Sequence, residues 1–169
     1  MRTYVVIAAN ITLAQALPVA YTDLVMAKMD AWQRERVELV VPTLWSYEIV
    51  EGVKGAVDRG YLTLHEGFLA VDAIFSLGFK TVHPTVELSK MALAWSGTLG
   101  AARTNDGQYL ALAETLKAEF WTADENLAKL AHREGASWVQ WIQGPVDVAG
   151  DTDGTAVPAA TDLTEAAEG

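Results

Sequence analysis

The sequence predicts an α/β fold: a three-layer α/β/α sandwich around a central parallel sheet. Two observations carry that expectation. Thr3-Tyr-Val-Val-Ile-Ala-Ala9 is apolar without alternation, as in a strand covered on both faces. Further short apolar runs recur down the chain, separated by stretches whose apolar residues fall at helical spacing.

The elements follow in order. The first strand ends at Asn10. A helix is expected from about Ala20 to Arg36, with Leu24, Val25, Ala27, the Lys28 stem, Ala31 and Trp32 on its apolar side. Glu38-Leu-Val-Val41 reads as a second strand stopped by Pro42, and Pro42 is expected to open a helix that Gly60 ends. Thr63-Leu-His-Glu66 has the form of a capping box, starting a helix to about Leu77 with Gly78 as its stop. Phe79-Lys-Thr-Val82 is a third strand, and His83-Pro84 starts a helix to about Gly97. A loop follows to Asn105. From Asp106 the residues Tyr109, Leu110, Leu112, Ala113 and Leu116 make another helix. Glu119-Phe-Trp-Thr122 is a fourth strand. Thr122-Ala-Asp-Glu125 is read as a second capping box, opening a helix to about Arg133, and Ser137–Ile142 is the last strand. There is no internal repeat.

The chain has 169 residues, 51% of them hydrophobic, enough for one core and too apolar for disorder over most of its length. It has no cysteine, which excludes disulfides, thiolate zinc sites and a cysteine nucleophile. No apolar run reaches the roughly 18 residues of a membrane span, and the N-terminus lacks the form of a signal peptide. A cytoplasmic enzyme or binding domain is the expectation. All 12 bases and 16 of the 22 acids lie in residues 1–143; residues 144–169 hold six acids and no base. The chain therefore divides into a domain over 1–143 and an acidic, flexible tail over 144–169, with Thr161–Ala167 as a possible helical turn against a partner. The net charge of −10 disfavours nonspecific nucleic-acid binding, because phosphate contacts need a positive surface. Carboxylates held by divalent cations are the exception to that rule. Trp32, Trp45, Trp95 and Trp121 are expected in the core, and Trp138 and Trp141 on opposite sides of the last strand, one of them exposed.

In an open parallel sheet, ligands bind outside the carboxyl ends of the strands, near the point where strand order reverses. Glu48, Asp106 and Asp124 fall there, on three separate connections, and Asn10 just past the first strand. Each helix-terminal Asp taken alone is more often a cap. Their convergence points to chemistry. Carboxylates about 6 Å apart repel by roughly 3 kcal/mol per pair at an effective dielectric of about 20, so such a cluster calls for a shared cation. Oxygen-only ligands favour Mg²⁺ or Mn²⁺. His65, His83 and His132 have no ligand spacing and are expected to be surface or capping residues.

Val-Val-Ile-Ala-Ala-Asn10, Val-Pro-Thr-Leu-Trp-Ser-Tyr-Glu48, Asp106-Gly-Gln-Tyr-Leu-Ala-Leu-Ala-Glu and Trp-Thr-Ala-Asp124-Glu-Asn-Leu resemble the four motifs of PIN-domain ribonucleases, in particular the VapC-like toxins of toxin–antitoxin pairs. The resemblance spans about residues 3–142 and leaves out the tail. It implies a PIN-like fold and an endoribonuclease that uses Mg²⁺ or Mn²⁺ to activate water for in-line attack on a phosphodiester. It also implies an RNA substrate, a homodimer and an antitoxin protein that neutralises it. Glu48, Asp106 and Asp124 match three of the family's four acids and would be metal ligands. Asn10 and Thr122 would hydrogen-bond to hold those carboxylates, and Arg103 is a candidate phosphate contact.

The first acid is missing. Where the pattern places an Asp, this chain has Ala8, whose methyl group can neither ligate a cation nor orient water. Weak metal affinity and reduced or absent cleavage are expected. Two origins fit: a substitution that silences a nuclease, or a naturally degenerate copy. Retention of the other three acids, Asn10 and Thr122 favours the first. The alternative function is a non-catalytic degenerate PIN domain that binds RNA or a protein. A phosphoacceptor signalling domain would need an Asp pair where this chain has Ala8 and Ala9.

Overall fold

A computed structural model describes residues 3–100 and 103–148. Beyond Val148 the acidic tail, including Thr161–Ala167, lies outside the described residues, so the expected boundary at 143 is not decided.

The chain runs β1 (Tyr4–Ile7), α1 (Ala9–Leu13), α2 (Thr22–Arg34), β2 (Glu38–Pro42), α3 (Leu44–Asp58), α4 (Leu64–Phe75), β3 (Lys80–Val82), α5 (Val86–Leu99), α6 (Thr104–Leu116), β4 (Glu119–Thr122), α7 (Glu125–Arg133) and β5 (Val139–Trp141). The five strands form one sheet in the order β3-β2-β1-β4-β5, every pair parallel. This is the expected α/β/α sandwich. Right-handed crossovers place α1–α4 on one face and α5–α7 on the other, because the chain moves outward from β1 to β3 and then returns across the sheet to β4. The reversal falls between β1 and β4, and that is where a crevice opens.

Burial on both faces explains the unbroken apolar runs. Val5, Val6, Ile7, Val40, Val41, Phe120 and Val139 are all buried, and each contributes on the order of 1.5–3 kcal/mol by leaving water. On α3, Ile49, Val53 and Ala56 form the buried stripe. The amphipathic pattern expected for α2 is narrower than it looks: only Val25 and Trp32 are buried, while Leu24 and Met26 are exposed.

Several local expectations hold. Thr63 Oγ1 accepts from the Glu66 N–H while Glu66 reaches back to the Thr63 N–H, a complete capping box. Gly60 and Gly78 stop their helices at φ +74° and +68°, conformations that side chains with a Cβ resist. Others need correction. Pro42 ends β2 rather than opening α3: the helix starts at Leu44 with Thr43 at its N-cap position, and the Thr43 hydroxyl donates to the Val82 carbonyl at 3.2 Å. The helix expected from His83-Pro84 starts two residues later, where Thr85 Oγ1 caps the Leu88 N–H at 3.1 Å, and it passes Gly97 to reach Leu99. The α7 cap is Asp124, not Thr122: its Oδ1 accepts from the Leu127 N–H at 2.9 Å. A short α1, not expected at all, follows β1 directly.

Trp32 and Trp45 are buried as expected. Trp95 and Trp121 are only half-buried, each with its indole N–H on a neighbouring carboxylate, Glu114 and Glu119 respectively, both at 2.8 Å. Trp138 lies just before β5, so the strand alternation does not apply to it. Both it and Trp141 are half-buried, Trp138 edge-on to Trp95 at 6.0 Å.

Gly107 sets how closely α6 packs on α5. A Cβ there would collide with the Ala92 carbonyl oxygen and Ser96 Oγ. Gly107→Ala is expected to cost about 1–3 kcal/mol, read as a lowered melting temperature by circular dichroism.

Candidate active site

The crevice at the β1/β4 switch point has a volume of about 590 Å³, and its walls bring together Ala8, Asn10, Glu48, Asp106, Thr122 and Asp124. Every acid and both helper residues picked from the sequence therefore share one cleft. None of the three histidines lines it; His132 pairs with the Val139 carbonyl at 2.7 Å and His83 with Thr43 at 3.3 Å.

Ala8 follows β1 and is the N-cap of α1, with an extended backbone (φ −71°, ψ 158°) and no side chain able to accept from the helix. Its N–H donates to the Trp121 carbonyl at 3.0 Å, tying the end of β1 to the end of β4. Asn10 strengthens that tie. Its Oδ1 accepts from the Ala123 N–H at 3.0 Å and its Nδ2 donates to Thr122 Oγ1 at 3.3 Å. Thr122 Oγ1 also accepts from the Asp124 N–H at 3.1 Å. Asn10 and Thr122 thus fix the backbone that carries Asp124, and the carboxylate's cap bond to Leu127 sets its rotamer.

Arg103, at the start of α6, does not project as a free phosphate contact. Its Nη1 donates to Asp124 Oδ2 at 2.7 Å and to Asp106 Oδ2 at 3.0 Å, with only 16% of the side chain exposed. Burial disfavours its charge, but the bonds to the two aspartates outweigh that and raise its pKa. Asp106 is raised by burial in spite of Arg103's pull.

Glu48 has partners of its own. Tyr109 donates its phenolic O–H to Glu48 Oε2, and Asn105 Nδ2 donates to Oε1 at 3.3 Å. Burial lifts the Glu48 carboxyl above its ordinary range more than these bonds lower it. Tyr109 is pushed well up by its own burial and then by the Glu48 charge. Its ring stacks on Phe120 at 5.4 Å, so the hydroxyl is held from behind. Sequence reading missed its polar role by counting Tyr109 only as an apolar helical position. The signal was its place three residues after Asp106, on the same helix face.

The pKa directions give a pH prediction. Glu48 and Asp106, with ordinary values of 4.5 and 3.8, hold their protons to higher pH in the folded chain than in the unfolded one. Their contribution to stability is complete below those ordinary values and is lost as pH rises through the raised folded ones. Melting in chelator across that range is expected to show a shallower loss with rising pH for Glu48→Gln than for the unaltered chain.

Does this site fit the divalent cation its acids imply? The donors are all hard oxygens, and two of them already surround one positively charged atom, the Arg103 nitrogen. Asp106 and Asp124 therefore fit such an ion. Glu48 remains on Tyr109 and Asn105, and among the described residues no three acid or histidine side chains form a ready-made cage. The fit is a two-carboxylate one, with Arg103 in the cation's place.

The fold is similar to that of solved toxin–antitoxin structures. A toxin-antitoxin complex from Klebsiella pneumoniae matches with a TM-score of 0.58 at 15% identity, over 82% of this chain and 97% of the other. VapBC-1 from nontypeable Haemophilus influenzae matches with a TM-score of 0.54 at 16% identity, over 84% of this chain and all of the other. At these identities the likeness is one of fold. No protein-family model and no curated protein matches the chain. Among the described residues no helix is long and apolar enough to cross a membrane.

Proposed function

We propose that this chain is a toxin-like PIN-domain protein whose acid-complete form is a Mg²⁺- or Mn²⁺-dependent endoribonuclease, weakened or silenced here by Ala8. The observation that carries the reading is the meeting of Glu48, Asp106 and Asp124 in one crevice at the switch point, with Asn10 and Thr122 bracing it. Single-stranded or looped RNA is the substrate class, since its backbone is splayed enough to enter such a cleft. The toxin–antitoxin fold neighbours support an antitoxin partner, while the homodimer and the cytoplasmic setting rest on the resemblance to VapC-like toxins alone.

A bound divalent ion would supply Lewis-acid stabilisation of the phosphate and a water of lowered pKa. Asp106 and Asp124 would hold it through the Oδ2 atoms that now face Arg103. Glu48, its carboxyl raised above the ordinary range by burial, would take the proton of the attacking water at Oε1. Tyr109 positions Glu48 for this. Tyr109→Phe keeps the ring on Phe120 but removes the donor, and is expected to lower Mn²⁺-dependent cleavage by the Ala8→Asp chain about tenfold while leaving Mn²⁺ affinity by calorimetric titration unchanged.

The test is cleavage of a labelled RNA pool by the Ala8→Asp chain. Cleavage with Mn²⁺ that disappears in chelator, and in an added Asp124→Asn change, is the expected result. Two observations favour the second reading, a binding module without catalysis: the methyl at position 8, and a cation position filled by Arg103. A restored chain that stays inert at saturating metal would decide for it.

A further inference from the structure

Across the Glu48–Asn105 hydrogen bond lies a second cleft, of about 430 Å³, within the roughly 300–1,000 Å³ typical of small-molecule sites. It is framed by the ends of β2 and β3 and by α3, α5 and α6. The two clefts share Asn105, and they share walls: Tyr47 precedes Glu48 on α3, and Asn105 precedes Asp106 on α6. A strand whose phosphate rested on the acids would run past the shared Asn105 toward this second cleft.

The lining says what kind of group would enter. Its floor is apolar, with Pro42 and Leu112 buried. It contains no Lys, Arg, Asp or Glu, so it is not built for a phosphate. Tyr47 stands at the cleft 70% exposed, and no other ring of the described residues stacks on it. The Gln108 amide and the Thr104 hydroxyl line the cleft with no hydrogen-bond partner among the described residues. His83 adds a polar ring nitrogen. His83 Nδ1 pairs with Thr43 Oγ1 at 3.3 Å, which leaves its Nε2 without a partner among the described residues. An apolar floor, a free aromatic face and unspent amide, hydroxyl and imidazole groups together suit a flat, neutral heteroaromatic with polar edges.

We propose that this cleft is a base-binding subsite for the nucleotide that flanks the scissile phosphate. The inference rests on the RNA reading of the acid cleft and adds to it the group that would set sequence preference.

The chain as it stands, with Ala8, suits equilibrium binding because cleavage is not expected. The probes are a labelled random-sequence RNA octamer and an abasic octamer of the same length, read by fluorescence anisotropy with Mg²⁺. Tyr47→Ala and Gln108→Leu are expected to weaken binding of the base-bearing octamer, the tyrosine change by roughly tenfold, while leaving the abasic octamer unchanged. Circular dichroism checks that both variants fold, as substitutions at the cleft rim should. Binding that both variants leave intact, or a loss equal for both probes, overturns the subsite and leaves the RNA reading standing. A change in oligomeric state with RNA binding untouched overturns it too, and assigns the cleft to a protein contact. If neither octamer binds this chain or its Ala8→Asp form, the RNA reading itself fails.

Discussion

Ala8→Asp is expected to raise metal-dependent RNA cleavage by at least about a hundredfold, the scale on which groups that organise a metal site act. The backbone is already prepared for that side chain. Position 8 is an N-cap with extended geometry and no side-chain acceptor, and an aspartate there accepts from the first turn of α1 for about 1 kcal/mol. Its second oxygen adds a charge to a cleft that already holds Glu48, Asp106 and Asp124. At about 6 Å each new pair costs roughly 3 kcal/mol, more than the cap returns. In chelator the variant should therefore melt below the unaltered chain, and Mn²⁺ should reverse the order. The two readouts are independent: melting reports the charge balance, and cleavage of a labelled RNA reports the chemistry. A variant that melts identically with and without Mn²⁺ would show that position 8 does not share a cation with the other acids.

Arg103→Ala is expected to tighten Mn²⁺ binding by about tenfold while destabilising the metal-free chain by about 2 kcal/mol. One guanidinium nitrogen now bonds two aspartates that are mostly shielded from water. Removing one member of such a set leaves the others uncompensated, at a cost moderated by their remaining exposure. Asp106, already raised by burial, would lose the partner that lowers it and rise further. The site would then hold a proton or a metal where it now holds Arg103. Calorimetric titration measures the affinity, and melting with and without Mn²⁺ measures the stability. Unchanged affinity would mean that Arg103 and the cation do not compete, and that the guanidinium serves only to brace α6 against α7.

Much of this was legible from local chemistry. Glu119–Thr122 is the predicted fourth strand to the residue, because its boundaries are set by neighbours in sequence. The Thr63–Glu66 box and the glycine stops at 60 and 78 are equally local. Local rules also misled where two candidates stood close together. Thr122 and Asp124 both fit a cap, and only the path of β4 into α7 decided for Asp124, releasing Thr122 to bond Asn10. The five-residue α1 is too short to show a period, so the expected first strand ran on into Ala9 and the rest of the helix went unassigned.

The chain's own order of apolar runs, caps and acids determined that a parallel sheet would form and that three carboxylates would arrive at its carboxyl edge. Strand periodicity and capping act over a few residues, which is why they can be read directly. What neutralises those carboxylates was decided only by tertiary packing. Tyr109 meets Glu48 across 61 positions of sequence, and Arg103 meets Asp124 across 21. Such encounters depend on how α6 seats against the sheet, a long-range outcome of burial that no window of sequence encodes.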